Sequence, residues 1–210
     1  MKIIVAIQCR LSSKRLPGKA LLKLSNTTVL GMTILRSMAF EYPTFLLTST
    51  EREDDLITRE SELLNVSGVI RGSLNNVLSR FFLLTESVNT DFIVRVTADN
   101  PLTEFKFIDP LIRHMHKNNL SFSWIDPYQC ADGINLEIFT PAFLKKSYES
   151  DTSDYNKEHV THWMKNSTKK NCYLDIRKNN LTPKGSNDLH FGIDTIQDFL
   201  KVEKIIDHTE

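Results

Sequence analysis

Cysteine is scarce in this chain, as are long apolar runs and any excess of charge of one sign. Three cysteines occur among the 210 residues, Cys9, Cys130 and Cys172, and their positions match no metal-ligand or redox spacing. Their odd number argues against a disulfide framework of the kind that small secreted proteins carry. We therefore expect a cytoplasmic protein in a reducing compartment.

The charge balance and the hydrophobic pattern exclude two further classes of protein. Because 26 Lys and Arg residues face 26 Asp and Glu residues, the chain has no overall positive field to hold it on nucleic acid. No apolar run approaches the roughly 18 residues of a membrane span, and the apolar start becomes charged too soon for a signal peptide. We expect a soluble protein with a small-molecule ligand, no nucleic-acid partner and no membrane span.

Short apolar runs alternate with amphipathic segments over the first 125 residues. The apolar runs have the character of buried strands and lie at 3–7, 45–49, 69–70, 91–96 and 121–125. The amphipathic segments have helical spacing and lie at about 29–40, 52–65, 74–87 and 105–117. This order predicts an α/β fold with a mostly parallel, Rossmann-like sheet between two layers of helices. A ligand is then expected beyond the carboxyl ends of the strands.

The alternation of elements loosens after residue 126. An alternating stretch at 134–139 and polar helices at about 141–149 and 156–166 predict a small lobe inserted into the main sheet. We place this lobe at about 126–185, within a single domain that spans residues 1–210. A last helix is expected after Thr195, which is its predicted N-cap, and Asp198 is expected to reinforce that cap.

The loop after the first strand, residues 8–19, is rich in positive charge. Arg10, Lys14, Arg15 and Lys19 lie in it, and the first acidic residue of the chain comes only at Glu41. At the carboxyl edge of a sheet, four cations and free backbone N–H groups are suited to hold a triphosphate and a departing pyrophosphate. The alternative interpretation is a solvated basic loop.

The basic loop does not match the nucleotide-binding P-loop, and this mismatch directs attention to carboxylates elsewhere. A P-loop requires glycine where Ser13 stands and a hydroxyl where Ala20 stands. A magnesium ion must then be held by other residues, and it binds one or two carboxylates together with phosphate oxygens and water. Asp99 directly follows a predicted buried strand and is the first candidate, although Asp-Asn-Pro is also a common turn.

The loop pattern Gln-x-Arg-x-x-Ser-x-Arg-Leu-Pro-Gly-Lys at 8–19 resembles the signature of the cytidylyltransferases of the spore-coat polysaccharide biosynthesis type. That family is related to the enzymes that make CMP-sialic acid and CMP-Kdo. One departure is Ser12, where the family usually has glycine. The resemblance extends along most of the chain through motifs in the same order: Thr48 and Ser49 with Asp54 and Asp55, Arg71 to Ser73, Val77 to Arg80, Val94 to Pro101, Asp132 and Gly133 with Glu137, Glu158 to Val160, and Ile193 to Thr195.

The resemblance implies a sheet of the nucleotide-diphospho-sugar transferase type and a Mg²⁺-dependent reaction. CMP would pass from CTP to a sugar or a sugar or polyol phosphate, with release of pyrophosphate, in surface polysaccharide or glycan biosynthesis. The implied catalytic residues are Arg10, Arg15, Lys19 and Asp99, and the implied metal ligands are Asp99 and Asp194. The implied nucleotide site comprises Gln8, Arg10, Ser12, Ser13, Lys19, Thr48, Ser49, Arg71, Gly72, Arg80, Ala98 and Asp99. The implied acceptor site comprises Asp132, Gly133, Glu137, Glu158 and His159, in a lobe that also forms a homodimer.

Several alternatives remain at this point. Asp194 precedes a helix and can serve as its cap, while Asp132 and Gly133 can form an ordinary turn. A glycosyltransferase that consumes a nucleotide sugar is one rival function, although Ala98 and Asp99 do not form its Asp-x-Asp pattern. A non-catalytic nucleotide-binding protein is the other rival, and it is motivated by Ser12.

Overall fold

A computed structural model describes residues 1–125, 129–168, 172–176 and 189–208. The strands within these ranges are β1 Ile3–Gln8, β2 Lys23–Leu24, β3 Thr27–Thr28, β4 Thr44–Ser49, β5 Gly68–Gly72, β6 Phe92–Thr97, β7 Phe122–Ile125, β8 Glu137–Phe139 and β9 Tyr173–Leu174. The α-helices are α1 Val29–Met38, α2 Asp55–Leu63, α3 Val77–Ser87, α4 Ile108–Asn118, α5 Pro141–Ser150, α6 Asp154–His159, α7 His162–Ser167 and α8 Ile196–Asp207. Among the described helices, none combines the length and the hydrophobicity that a membrane-spanning segment requires.

The described strands form a small hairpin, β2–β3, and a seven-stranded sheet in the order β5-β4-β1-β6-β8-β7-β9. The strands β5, β4, β1 and β6 pair in parallel, and β1 lies between β4 and β6. β1 is a continuous apolar run because it is covered on both faces: Val5 and Ile7 contact one core cluster, while Ile4 and Ala6 contact another.

Helices cover both faces of this sheet and give three layers. On the face of Val5 and Ile7, apolar residues of α1, α2 and α4 complete the core, among them Ile34, Ile57 and Leu111. On the other face, α3, α5 and α7 contribute Phe81, Leu144 and Met164. The predicted fold class, a mostly parallel Rossmann-like sheet between helices, is therefore confirmed.

The region after residue 126 departs from the expectation in two places. The alternating stretch forms β8, which enters the main sheet as an antiparallel strand between β6 and β7. The polar helix expected at 156–166 is two short helices, α6 and α7, because the chain turns at Val160. This buried residue has a φ of 52°, and Thr161 N donates to His159 O over 2.5 Å. The lobe at about 126–185 stays a prediction, since part of it lies outside the described residues.

Helix α8 begins with the predicted cap. The Thr195 hydroxyl accepts from Asp198 N at 3.3 Å, and the Asp198 carboxylate accepts from Thr195 N at 2.8 Å. This reciprocal pair is a capping box, and it satisfies two N–H groups that the helix leaves unpaired.

Removing the cap hydroxyl is expected to destabilise the protein modestly. We expect Thr195→Ala to lower the free energy of unfolding by about 1 kcal/mol, measured by urea denaturation. Thr195→Ser retains the oxygen and serves as the matched control with a smaller loss. Equal losses in both variants would show that the lost methyl group, rather than the cap, carries the effect.

Candidate active site

A cavity of about 420 Å³ opens at the carboxyl ends of β1 and β6, where the fold predicts a ligand. Its volume lies in the range of small-molecule sites. Its walls come from the loop after β1, the end of β6, the start of α3, the end of α6 and the residues before α8. The lining residues are Gln8, Cys9, Arg10, Ser13, Lys14, Arg15, Lys19, Ala20, Val77, Arg80, Arg95, Thr97, Ala98, Asp99, Glu158, His159 and Asp194.

The basic loop is curled around the backbone of Leu11. The carbonyl oxygen of Leu11 accepts from Ser13 N at 2.8 Å and from Gly18 N at 3.0 Å. Gly18 has a φ of 72°, a left-handed conformation that glycine adopts without strain. Ser12 has no such conformation, its side chain is exposed, and it does not line the cavity. The serine therefore fits this loop without projecting into the cavity.

The carboxylate of Asp54 holds the basic loop through a hydrogen bond to its backbone. One carboxylate oxygen accepts from Leu11 N at 2.9 Å, and the other accepts from the hydroxyls of Thr48 and Ser49 at 3.1 and 2.5 Å. Asp54, Thr48 and Ser49 are all buried. A buried carboxylate held by several donors is a rigid support, because moving it would break several hydrogen bonds at once.

Two carboxylates meet at the ammonium group of Lys19. Lys19 Nζ donates to Asp99 Oδ2 at 2.6 Å, to Asp194 Oδ1 at 3.0 Å and to the carbonyl oxygen of Ile193 at 2.6 Å. An ammonium group has three N–H donors, so Lys19 is fully satisfied. The Lys19 side chain is 10% exposed, whereas those of Asp99 and Asp194 are 32% and 28% exposed. Both carboxylates therefore face the cavity and share one cation.

The two arginines of the loop are also paired with carboxylates on the cavity wall. Arg15 Nη2 lies 2.6 Å from Asp194 Oδ2, and Arg10 Nη2 lies 2.8 Å from Glu158 Oε1. These partners are partly solvated, so each pair contributes little to stability. Such cations can exchange a carboxylate for a phosphate at low cost.

Asp194 reaches the cavity because the segment 189–194 is fixed to the sheet by its backbone. Ile193 N donates to the carbonyl oxygen of Asp99 at 2.8 Å, and Phe191 N donates to that of Asp132 at 2.8 Å. Gly133 has a φ of 89°, and a Cβ atom there would lie 2.4 Å from Gly192 N. Asp132 and Gly133 thus hold the segment that carries the second carboxylate.

Two buried groups beside the loop have shifted pKa values. Burial lowers the pKa of Arg80 to about 10, which leaves its guanidinium charged at neutral pH, and this group donates to the carbonyls of Ser73 and Leu74 at 2.8 Å. Arg80 thereby fixes the turn before α3. Burial, followed by the nearby Asp99, raises the pKa of Cys9 well above its ordinary value. Cys9 is consequently a neutral thiol and a poor nucleophile.

A largely buried carboxylate lies behind the cavity wall. Glu137 Oε2 accepts from Arg95 Nη1 at 2.5 Å and from the Thr161 hydroxyl at 3.0 Å, while Oε1 pairs with Lys165 Nζ at 2.5 Å. Burial by itself would raise the pKa of Glu137, but the two cations outweigh it and lower the pKa to about 2. Arg95 Nε also donates to Gln8 Oε1 at 2.9 Å. The network links β1, β6, β8 and α7.

The structure brings many of the expected site residues together, although their roles stay predictions. Those that line the cavity are Gln8, Arg10, Ser13, Arg15, Lys19, Arg80, Ala98, Asp99, Glu158, His159 and Asp194. Those that lie outside its lining are Ser12, Thr48, Ser49, Arg71, Gly72, Asp132, Gly133 and Glu137. Arg71 instead pairs with Asp55 at 2.6 Å and donates to the carbonyl of Ser49 at 2.8 Å.

Sequence reasoning missed Asp54 and Arg95 as site residues. Asp54 stands in one of the quoted motifs, but its contact with Leu11 joins distant parts of the chain. Arg95 is a charged residue inside an otherwise apolar strand. That placement is itself a signal, because a charge in a buried strand requires a partner.

The carboxylates fit a magnesium ion that arrives with a triphosphate. Within the described ranges there is no group of three or more His, Cys, Asp or Glu side chains that could hold a metal ion by itself. Asp99 and Asp194 supply two carboxylates in contact with one cation, next to the basic loop. Mg²⁺ typically takes one or two carboxylates and fills its octahedron with phosphate oxygens and water.

A cationic loop that faces two carboxylates at the edge of a Rossmann-like sheet defines the class, which is that of the nucleotidyltransferases. The chain belongs to the cytidylyltransferase family, whose model matches residues 4–208. It is 34% identical to an uncharacterised protein of Methanocaldococcus jannaschii, over 99% of this chain and 85% of that protein. It is 28% identical to the spore coat polysaccharide biosynthesis protein SpsF of Bacillus subtilis, over 78% of this chain and 70% of SpsF.

Solved structures agree with this assignment. A cytidylyltransferase from Leptospira borgpetersenii superposes with a TM-score of 0.87 at 30% identity, covering 99% of this chain and 87% of that one. Two more distant structures share the fold. One is a CMP-2-keto-3-deoxy-manno-octonic acid synthetase complexed with CTP (TM-score 0.66, 13% identity, 100% of both chains). The other is a Mycobacterium tuberculosis protein in complex with manganese (TM-score 0.65, 17% identity, 97% and 99% coverage).

Proposed function

We propose that this protein transfers CMP from CTP to a sugar or to a sugar or polyol phosphate, with release of pyrophosphate. The observation that carries the proposal is the contact of Asp99 and Asp194 with one ammonium group, Lys19, on a cationic loop at the edge of the sheet. The family membership supports CTP as the donor, and the bound CTP of the distant synthetase structure adds to that support.

In the proposed reaction, an acceptor oxygen attacks the α-phosphorus of CTP in line with the bond to the β-phosphate. The new P–O bond forms as the bond between the α-phosphorus and the α–β bridging oxygen breaks, and the pyrophosphate leaves with the electron pair. A hydroxyl acceptor passes its proton to water, whereas a phosphate acceptor attacks as an anion and has no proton to lose. Arg10, Arg15 and Lys19 neutralise the β- and γ-phosphates, so catalysis consists mainly of positioning and electrostatic stabilisation.

Asp99 and Asp194 are the residues that would hold Mg²⁺. The ion would supply charge neutralisation for the triphosphate, the kind of chemistry that two carboxylates and phosphate oxygens support. The manganese complex of the Mycobacterium tuberculosis protein supports a divalent metal at this fold. In this chain, Lys19 Nζ donates to both carboxylates and so holds them close together.

The acceptor is proposed to enter along the wall formed by the end of α6. Glu158 and His159 line the cavity there, and the ring of His159 packs against Tyr155 with a centroid distance of 4.1 Å. Surface polysaccharide or glycan biosynthesis is the proposed setting, supported by the name of SpsF. A cytoplasmic homodimer formed through the lobe completes the proposal.

The direct test is pyrophosphate release from CTP and Mg²⁺ in the presence of a panel of sialic-type sugars, sugar phosphates and polyol phosphates. We expect release with at least one acceptor, and slower release when UTP or ATP replaces CTP. Release of the nucleotide moiety from a CMP- or UDP-sugar would instead indicate a glycosyltransferase. Binding of CTP without pyrophosphate release from any acceptor would indicate a nucleotide-binding protein.

A further inference from the structure

A hydrogen bond from Arg95 fixes the orientation of the Gln8 carboxamide. Gln8 Oε1 accepts from Arg95 Nε at 2.9 Å. The oxygen and nitrogen of an amide are hard to distinguish by position alone, but a guanidinium has only donors, so the atom that faces it must be the oxygen. Gln8 also lines the cavity. Its Nε2 group is therefore the part of the amide available to a ligand.

Arg95 is itself held rigidly. Its Nη1 donates to Glu137, and Glu137 is also bound by Thr161 and Lys165. The side chains of Arg95 and Glu137 are 14% and 13% exposed. Both carboxylate oxygens of Glu137 are thus engaged by neighbouring side chains. Its structural effect is to fix Arg95 against the end of β1.

We propose that Arg95 is a positioning residue for CMP transfer, which acts by fixing the carboxamide of Gln8 so that Nε2 donates to an acceptor atom of the bound nucleotide. This inference rests on the proposed function, since it concerns the same site. Without Arg95, the amide can rotate and present its oxygen to the ligand in part of the population. Loss of Arg95 is therefore expected to remove the contribution of one hydrogen bond to CTP binding.

Gln8→Glu separates this role from a purely structural one. The glutamate retains an oxygen for Arg95 and adds charge to the contact, so the melting temperature is expected to equal or exceed that of the unmodified protein. The glutamate lacks the N–H donors, so the affinity for CTP and kcat/KM are expected to fall roughly tenfold. Gln8→Met removes the donor without adding a negative charge and is expected to show a similar loss.

A double-mutant cycle tests whether Arg95 acts through Gln8. Arg95→Met alone is expected to lower kcat/KM for CTP roughly tenfold, but to change it less than about twofold in the Gln8→Met background. Arg113→Met, on the exposed face of α4, is the control for the loss of an arginine. Independent, multiplicative losses would overturn the proposal, as would full CTP affinity in both Gln8→Glu and Gln8→Met.

The same cycle is to be measured by equilibrium binding of CTP, which distinguishes two kinds of failure. If the unmodified protein binds no CTP, the proposed function is wrong. If it binds CTP and the affinity does not depend on Gln8 and Arg95, only the inference about these two residues is wrong. If it binds CTP without turnover, the coupling between Gln8 and Arg95 is still expected in the affinities.

Discussion

Asp99→Asn is expected to leave the fold intact and to lower kcat by on the order of 100-fold to 1000-fold. Asparagine has the same shape, and its side-chain oxygen can still accept from Lys19 Nζ, which Asp99 contacts at 2.6 Å. The backbone bond from Ile193 N to the carbonyl of residue 99 is also retained. What is lost is the negative charge that a magnesium ion requires. Pyrophosphate release at saturating CTP and Mg²⁺ measures the effect.

Two further measurements make this test specific. Asp91 precedes β6 at the opposite end of that strand, and its carboxylate accepts from Lys2 N at 2.7 Å. Asp91→Asn is the matched control and should retain full turnover. Titration with Mn²⁺ in the presence of CTP should show weaker metal binding by Asp99→Asn than by the unmodified protein. An Asp99→Asn protein with full activity would overturn the assignment of Asp99 as a metal ligand.

Much of the fold could be predicted from the sequence because buried helices and strands have characteristic hydrophobic patterns. The run Ile3–Ile7 is apolar at every position, since it is covered on both faces, and this pattern identifies a central parallel strand. Thr195 and Asp198 predict the start of α8, because a capping box depends only on residues that are close in sequence. The break at Val160 has no comparable signal, because a β-branched residue with positive φ is stabilised by tertiary packing that a local pattern does not contain.

In the candidate site, the sequence alone predicted proximity only for residues that directly follow strands. The cations after β1 and Asp99 after β6 meet because parallel strands end at one edge of the sheet. Asp194 was assigned to the site from the family resemblance alone. Its position depends on the backbone hydrogen bond from Ile193 N to the carbonyl oxygen of Asp99, which no sequence pattern reveals. Glu137 was expected to contact the acceptor, which stays a prediction, and its contacts with Arg95, Lys165 and Thr161 were not predicted. Which donor a buried carboxylate meets is decided by packing between distant elements, and spacing along the chain does not encode it.

The arrangement around Lys19 implies that ligand binding rearranges existing ion pairs. Lys19 holds both Asp99 and Asp194, Arg15 also contacts Asp194, and Arg10 contacts Glu158. These carboxylates therefore contact the same cations that the proposed function assigns to the phosphates. A triphosphate that draws the cations toward itself would release Asp99 and Asp194 for the metal, so CTP and Mg²⁺ are expected to strengthen each other's binding.

Lys19→Met is the second variant for which a large effect is expected. The loss of this nearly buried ammonium removes a charge for the phosphates, so kcat/KM for CTP is expected to fall on the order of 100-fold or more. Lys23→Met, an exposed lysine on β2, is the matched control and should retain activity. Because Lys19 also occupies the two carboxylates, its removal should strengthen Mn²⁺ binding without nucleotide, a change in the opposite direction that loss of folding cannot produce. Unchanged or weaker Mn²⁺ binding in a folded Lys19→Met protein would contradict the competition between lysine and metal for Asp99 and Asp194.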